Sequence, residues 1–187
     1  MGFIDFLEEG KKTKAMVFDV DDTLITTKSK IKVVDSNGKV ISQLSPQDFN
    51  TYKLKKDETY DFSDFRSAEV LKNTAQKTTY WQVAQNVNDA VKRGDSNTEI
   101  YILTARPNAF KSDLYSYLKT IGLDTLKKNN VFTVGDRGAS LSIAQLKKIS
   151  LKHIKKNHSE VKFFDDDDAN IELAKELKTI KTQKANV

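Results

Sequence analysis

The stretch Lys14-Ala15-Met16-Val17-Phe18-Asp19-Val20-Asp21-Asp22-Thr23 couples a short apolar run to a burst of carboxylates. Residues 99–104 (EIYILT), 131–135 (VFTVG) and 161–165 (VKFFD) repeat the pattern of a brief apolar run that stops at a polar or glycine position. Each run is too short for a helix and is apolar almost throughout, as strands covered on both faces are. Helical periodicity fills the gaps between them. Residues 80–91 set Val83, Ala84, Val87, Ala90 and Val91 on one stripe, with Arg93-Gly94 as the stop. Pro107 opens a second helix that presents Phe110, Leu114, Leu118 and Ile121 before Gly122. Residues 140–156 form a third, and residues 168–177 a fourth, with Ile171, Ala174 and Leu177 inward and Asp168 as its cap. Strand–helix alternation of this kind predicts an α/β fold, a parallel sheet with right-handed crossovers and helices on both faces. The tail, residues 179–187, adds a weak edge-strand signal.

Composition sets outer bounds. The chain has 187 residues, 38% of them hydrophobic and 30% charged, with 7 Gly and 2 Pro, which excludes collagen-like, low-complexity and wholly disordered chains. With 31 Lys and Arg against 26 Asp and Glu, the net charge of +5 favours anionic partners. The absence of Cys removes disulfides, thiol nucleophiles and cysteine-zinc sites, and 2 His leave little material for a His-rich metal centre or a Ser-His-Asp triad. No apolar run approaches the roughly 20 residues of a spanning helix. The start, MGFIDFLEEG, has acids where a signal peptide wants positive charge, and Phe6 breaks the myristoylation pattern. These features predict a soluble, cytoplasmic protein.

Residues 25–75 interrupt the rhythm. Residues 31–41 (IKVVDSNGKVI) read as a β-hairpin turning at Asn37-Gly38, and Phe49, Tyr52, Tyr60, Phe62 and Phe65 follow among acids and lysines. The expected organisation is one domain, 1–187, with 25–75 as a small insertion that projects over the sheet. Its aromatics, with Tyr80 and Trp81, are candidates either to line a base-sized slot or to pack the insertion onto the core. The hairpin tip is expected to influence substrate choice.

The candidate chemistry lies at strand ends. In open α/β sheets, ligands bind beyond the carboxyl ends of the strands. Asp19, Asp21 and Asp22 crowded there repel one another and lose hydration, a costly arrangement without a cation. Magnesium, which takes one or two carboxylates along with phosphate oxygens and water, suits the place. Thr104 ends the second strand, where its hydroxyl and the following N–H groups can hold a phosphoryl oxygen. Asp165-Asp166-Asp167-Asp168 ends the fourth. Between them, the helical phase separates two lysines. With Ile143, Leu146, Ile149, Leu151 and Ile154 taken as the buried face, Lys147 lies about 60° from its centre and Lys148 about 160°. Lys147 therefore points inward and needs a buried anion, whereas Lys148, Lys152, Lys155 and Lys156 form a solvated surface.

The order D-x-D-x-T at Asp19–Thr23, Thr at a strand end, Lys on a helix, then Asp-Asp resembles the four motifs of the haloacid dehalogenase superfamily. The resemblance covers roughly residues 14–23 and 76–180, and the insertion falls where that superfamily places its first cap. A response-regulator receiver gathers similar residues, but its acidic pair precedes the phospho-acceptor, so the order here excludes it. The resemblance implies a Rossmann-like three-layer α/β/α core and a Mg²⁺-dependent phosphatase. Asp19 would be the nucleophile that forms an aspartyl-phosphate and Asp21 the acid and base. Thr104 and Lys147 would bind the phosphoryl oxygens. The metal would be held by Asp19, Asp165 and the main-chain carbonyl of Asp21, with Asp166 either a direct ligand or one that acts from behind them. Haloacid dehalogenases proper lack the second Asp, so Asp21 argues for phosphoryl chemistry.

On the substrate side, Thr23 shapes the loop and Arg106 is placed to meet a substrate phosphate or base. The expected substrate is a phosphorylated small molecule, a nucleotide or a nucleic-acid end, since the Asp-Asp motif and basic balance are similar to the phosphatase half of polynucleotide kinase/phosphatases and to some nucleotidases. No P-loop accompanies it. The rival reading is a non-catalytic module that uses the lysine surface to bind nucleic acid or a protein, but a scaffold has no need of mutually repelling acids.

Overall fold

The computed structural model describes residues 13–49, 51–136 and 140–186. The reading of the chain's first ten residues lies outside them. Five parallel strands form the central sheet among the described residues: β1 (Lys14–Phe18), β7 (Thr98–Thr104), β8 (Val131–Thr133), β9 (Glu160–Asp165) and β10 (Ile180–Lys184), in the order β10-β9-β1-β7-β8. The chain runs from β1 outward through β7 to β8, then returns to the other side of β1 for β9 and β10. The direction of winding reverses between β1 and β9, and ligands of open α/β sheets settle in the crevice at such a reversal. The weak signal in the tail is a true edge strand, β10.

Alternation along the strands feeds two cores. Phe18, Ile100, Ile102 and Phe164 point to one face, beneath α3 (Thr79–Lys92) and α4 (Lys111–Thr120). Val17, Leu103, Val161 and Phe163 point to the other, beneath α5 (Ile143–Lys156) and α6 (Asp168–Lys175). The result is the three-layer, Rossmann-like α/β fold expected from the sequence.

Several local expectations shift. The buried residues of α3 are Trp81, Ala84 and Asn88, so Trp81 belongs to the core and not to a base slot. Tyr80 packs against Phe164. Pro107 does not open a helix directly; a 3-10 turn (Asn108–Phe110) intervenes, and Asp136 Oδ2 accepts from the Asn108 N–H at 2.5 Å. Ser142 caps α5 through a reciprocal capping box with Gln145. Ile149, assigned to the buried face of that helix, is 51% exposed; Ala144, Lys147 and Ser150 take the inner positions. The cap of α6 is Asp167, whose Oδ1 accepts from Ala169 and Asn170 N–H, not Asp168.

Residues between β2 (Ile25–Thr26) and β6 (Gln76–Lys77), which pair antiparallel as a stem, form a separate three-stranded sheet. Its order is β4 (Val40–Leu44), β3 (Ile31–Val34), β5 (Thr59–Asp61), followed by a 3-10 turn at Ser63–Arg66 and helix α2 (Ala68–Thr74). A short helix, α1 (Pro46–Phe49), follows β4. Ile31, Val33 and Leu44 form a small core with Phe49, Tyr52, Tyr60 and Phe65. The hairpin exists, but its connection is wider than an Asn-Gly turn. Residues 35–39 loop out while Asp35 Oδ1 accepts from both Asn37 and Lys39 N–H, and Gly38 adopts φ +78°.

Candidate active site

Asp19 leaves β1 where its N–H still bonds the Phe164 carbonyl at 2.9 Å, so its position is set by the strand ladder itself. The next residues fold back tightly, and the Val20 carbonyl accepts from Leu24 and Ile25 N–H, each at 3.0 Å. Asp22 sits at φ +54°, a conformation that Asp tolerates better than most residues. Thr23 is fully buried, and its hydroxyl donates to Asp166 Oδ1 at 3.1 Å, tying this loop to the end of β9. Thr78, the N-cap of α3, donates to the Thr23 and Leu24 carbonyls and braces the loop from below.

Lys147 arrives from α5, 2% exposed, as its helical phase predicts. Its Nζ lies 2.8 Å from Asp19 Oδ1 and 2.7 Å from Asp165 Oδ2. Burial opposes its charge, but the Asp165 and Asp19 carboxylates outweigh it and hold the ammonium above its ordinary pKa. Asp165, fully buried, accepts at its other oxygen from the Asp167 N–H and from Asn170 Nδ2 at 2.8 Å. Asn170 escaped the sequence reading; the available signal was a polar residue on the inner stripe of α6. Burial raises Asp19 well above the usual carboxylate range; Lys147 opposes this, and Asp165, Asp166 and Asp21 reinforce it. Burial, then Asp165, lift Asp166 to about 6 against the bonds it accepts.

Asp19, Asp165 and Asp166 each offer a carboxylate oxygen, all within 4.8 Å of one another. An all-oxygen, anionic donor set of this size suits a hard divalent cation such as Mg²⁺. The Asp21 carboxylate stands apart from that cluster. It faces Arg106, which is 2% exposed and donates to it twice, while Nη1 donates to the Phe65 carbonyl of the insertion at 3.0 Å. Arg106 also lies over the Phe65 and Phe110 rings. It borders the cavity as expected, but its guanidinium is engaged by the protein instead of being offered to a substrate. Thr104, 1% exposed, lines the cavity and accepts from the Arg106 N–H. The loop after β8 closes on this corner, and a Cβ on Gly135 would lie 2.1 Å from the Ala105 carbonyl oxygen, so the approach requires glycine.

A cavity of about 340 Å³ opens above these groups. Its floor holds Asp19, Lys147 and Asp165, and its upper wall comes from the insertion, through Ile31, Phe49, Phe62, Phe65 and Arg66. None of the hairpin-tip residues lines it. Tyr52 and Tyr60 pack within the insertion instead.

No protein-family model and no curated protein matches the chain. Among solved structures, the chain is similar to the HAD domain of the effector protein Lem4 from Legionella pneumophila, at 15% identity and a TM-score of 0.44, over 95% of this chain and 88% of that one. Among the described residues, no helix is long and apolar enough to cross a membrane.

Proposed function

We propose that the protein is a Mg²⁺-dependent phosphomonoesterase that works through an aspartyl-phosphate. The observation that carries this reading is the bridge of Lys147 between Asp19 and Asp165 at the winding reversal of the sheet, beside Asp166 and Thr104. Five polar groups converge at one strand edge below a cavity, as a phosphoryl site requires.

In this reading one Asp19 oxygen attacks phosphorus while the bond to the ester oxygen breaks. Lys147 holds the other Asp19 oxygen and, with the Thr104 hydroxyl, meets the phosphoryl oxygens, so that developing charge finds fixed partners. Asp21 gives a proton to the departing oxygen, then takes one from the water that attacks the aspartyl-phosphate, releasing phosphate and restoring Asp19. Asp19, Asp165, Asp166 and the Asp21 main-chain carbonyl would hold Mg²⁺, which when bound supplies positive charge against the phosphoryl group. The insertion serves as a lid that selects the ester, a phosphorylated small molecule or nucleotide.

The test is hydrolysis of p-nitrophenyl phosphate with and without Mg²⁺. Turnover that requires the metal and disappears in Asp19→Asn supports the proposal. Absence of turnover on this ester and on a panel of phosphorylated metabolites and 3′- or 5′-phosphorylated oligonucleotides overturns it. The rival binding-module reading gains little from α5, where Lys148 pairs with Glu176 and Lys155 bonds the His158 and Ser159 carbonyls.

A further inference from the structure

The wall of the cavity differs in kind from its floor. The floor is charged, whereas the insertion contributes three phenylalanines that have no polar task. Phe49 packs edge-on to Phe62 with ring centroids 5.6 Å apart, and Phe49 meets Tyr60 at 4.8 Å, so these rings are braced from behind by the insertion's own core. Phe62 is nevertheless 37% exposed, one of few large apolar side chains left open, and it opens onto the cavity. Phe65 is fixed at the same wall by its carbonyl bond to Arg106 and by its ring over the guanidinium. Pro107 and Ile143 complete the apolar lining from the core side.

We propose that this cavity accepts phosphate monoesters of aromatic alcohols, the phosphoryl group on the Asp19–Lys147 floor and the aromatic ring among Phe49, Phe62 and Phe65. The proposal rests on the phosphatase reading and names the substrate class of that site. Size supports it, since about 340 Å³ falls near the lower end of the roughly 300–1,000 Å³ typical of ligand pockets. That leaves room for a phosphoryl group with a ring directly bonded to it, and the phenylalanine wall argues for the ring. Chemistry supports it too, because rigid rings braced in edge-on pairs present faces and edges to an incoming ring at little conformational cost. Arg66, exposed at the same rim and without an ion pair among the described residues, adds attraction for an anionic ester.

Aryl phosphates are intrinsically more reactive than alkyl ones, so the decisive measurement is binding of phosphonates, which cannot turn over. Phenylphosphonate and propylphosphonate are compared by calorimetry in the presence of Mg²⁺, in the unaltered protein and in Phe62→Ala. The expected result is at least tenfold tighter binding of phenylphosphonate, falling below threefold in Phe62→Ala, with propylphosphonate little changed, since apolar pockets separate ligands by about 10–200-fold. Phe62 is partly exposed, so its truncation is tolerated; an unchanged melting temperature verifies this. Equal affinities in the unaltered protein, or a ring preference that survives Phe62→Ala and Phe49→Ala alike, overturn the proposal while leaving the phosphatase reading intact. Failure of every monoester to be hydrolysed overturns that reading instead. Turnover then separates the sources of the ring. Hydrolysis of a phosphotyrosine peptide at a kcat/KM equal to or above that of phenyl phosphate places the ester on a protein, and the reverse order places it on a small phenol. Preference for a nucleoside 5′-monophosphate over both overturns the aromatic-ester assignment.

Discussion

Arg106 donates to both carboxylate oxygens of Asp21, Nε to Oδ2 at 2.9 Å and Nη2 to Oδ1 at 2.7 Å, while its third nitrogen holds the insertion through the Phe65 carbonyl. The planar fork matches the carboxylate in a way that no lysine can reproduce. Arg106 therefore holds Asp21, the proton donor of the proposed mechanism, and links it to the insertion. In the proposed mechanism this pair must loosen for Asp21 to transfer a proton.

The consequence is a leaving-group signature. Arg106→Lys is expected to lower kcat/KM on phenyl phosphate by about 10–100-fold, a partial loss of the roughly 10²–10⁴-fold that general acid help supplies. The loss on p-nitrophenyl phosphate, whose leaving group needs less protonation, is expected to be several-fold smaller, and Asp21→Asn should show the same asymmetry. Equal losses on both esters would mean that Arg106 acts on the phosphoryl group directly.

Lys147 and Lys148 are neighbours with opposite fates. Lys147→Ala leaves Asp19 and Asp165 buried and without their shared cation, a change of about 3–5 kcal/mol by the usual cost of breaking a buried pair. Activity should fall below detection. Lys148→Ala breaks a partly exposed pair with Glu176, worth about 0–1 kcal/mol, and should retain nearly full activity. Melting curves and p-nitrophenyl phosphate kinetics on both variants check this.

Asp19→Asn should abolish turnover and keep the fold. Lys147 retains Asp165, and a buried carboxylate that burial and three neighbouring acids destabilise becomes neutral. Stability is expected to hold within about 1 kcal/mol of the parent or to rise. Residual turnover above a few per cent would remove Asp19 from the nucleophile's role.

The attachment of the insertion is expected to depend on pH. Asp64 lies in the turn that carries Phe65, and its carboxylate meets Lys32 Nζ at 2.8 Å and the Lys30 N–H at 3.1 Å. Burial pushes its pKa up, but these two bonds outweigh it, so the folded value lies below the usual one near 3.8. A depressed carboxylate contributes stability that is fully present above its unfolded value and lost as pH falls through the folded one. Amide protection relative to the unstructured chain at residues 30–34 and 62–66 should therefore fall below about pH 4. Asp64→Asn should show the lower protection already at neutral pH, with its acid dependence flattened; an unchanged acid response in that variant would assign the effect elsewhere.

The sequence by itself determined the layers and which polar residues gather at the strand ends. Short apolar runs can only be strands covered on both faces, so Asp19, Thr104 and Asp165 had to emerge at one edge. The 100° step of a helix was enough to choose Lys147 over Lys148. These are local periodicities, readable within a dozen residues. Tertiary packing decided the rest. The reversal of winding between β1 and β9 depends on where the chain returns after β8, which no local pattern records. Ile149 is exposed because the neighbours of α5 leave that side open, though its hydrophobicity argues otherwise. Asn170 became a partner of Asp165 only once α6 docked. Arg106 and Asp21 lie 85 positions apart, and Arg106 and Phe65 lie 41 apart. A guanidinium near a phosphate site reads from sequence as a substrate ligand. Only the folded chain brings the Phe65 carbonyl and the Asp21 carboxylate close enough to claim it, because a buried cation takes whichever partners the packing leaves within reach.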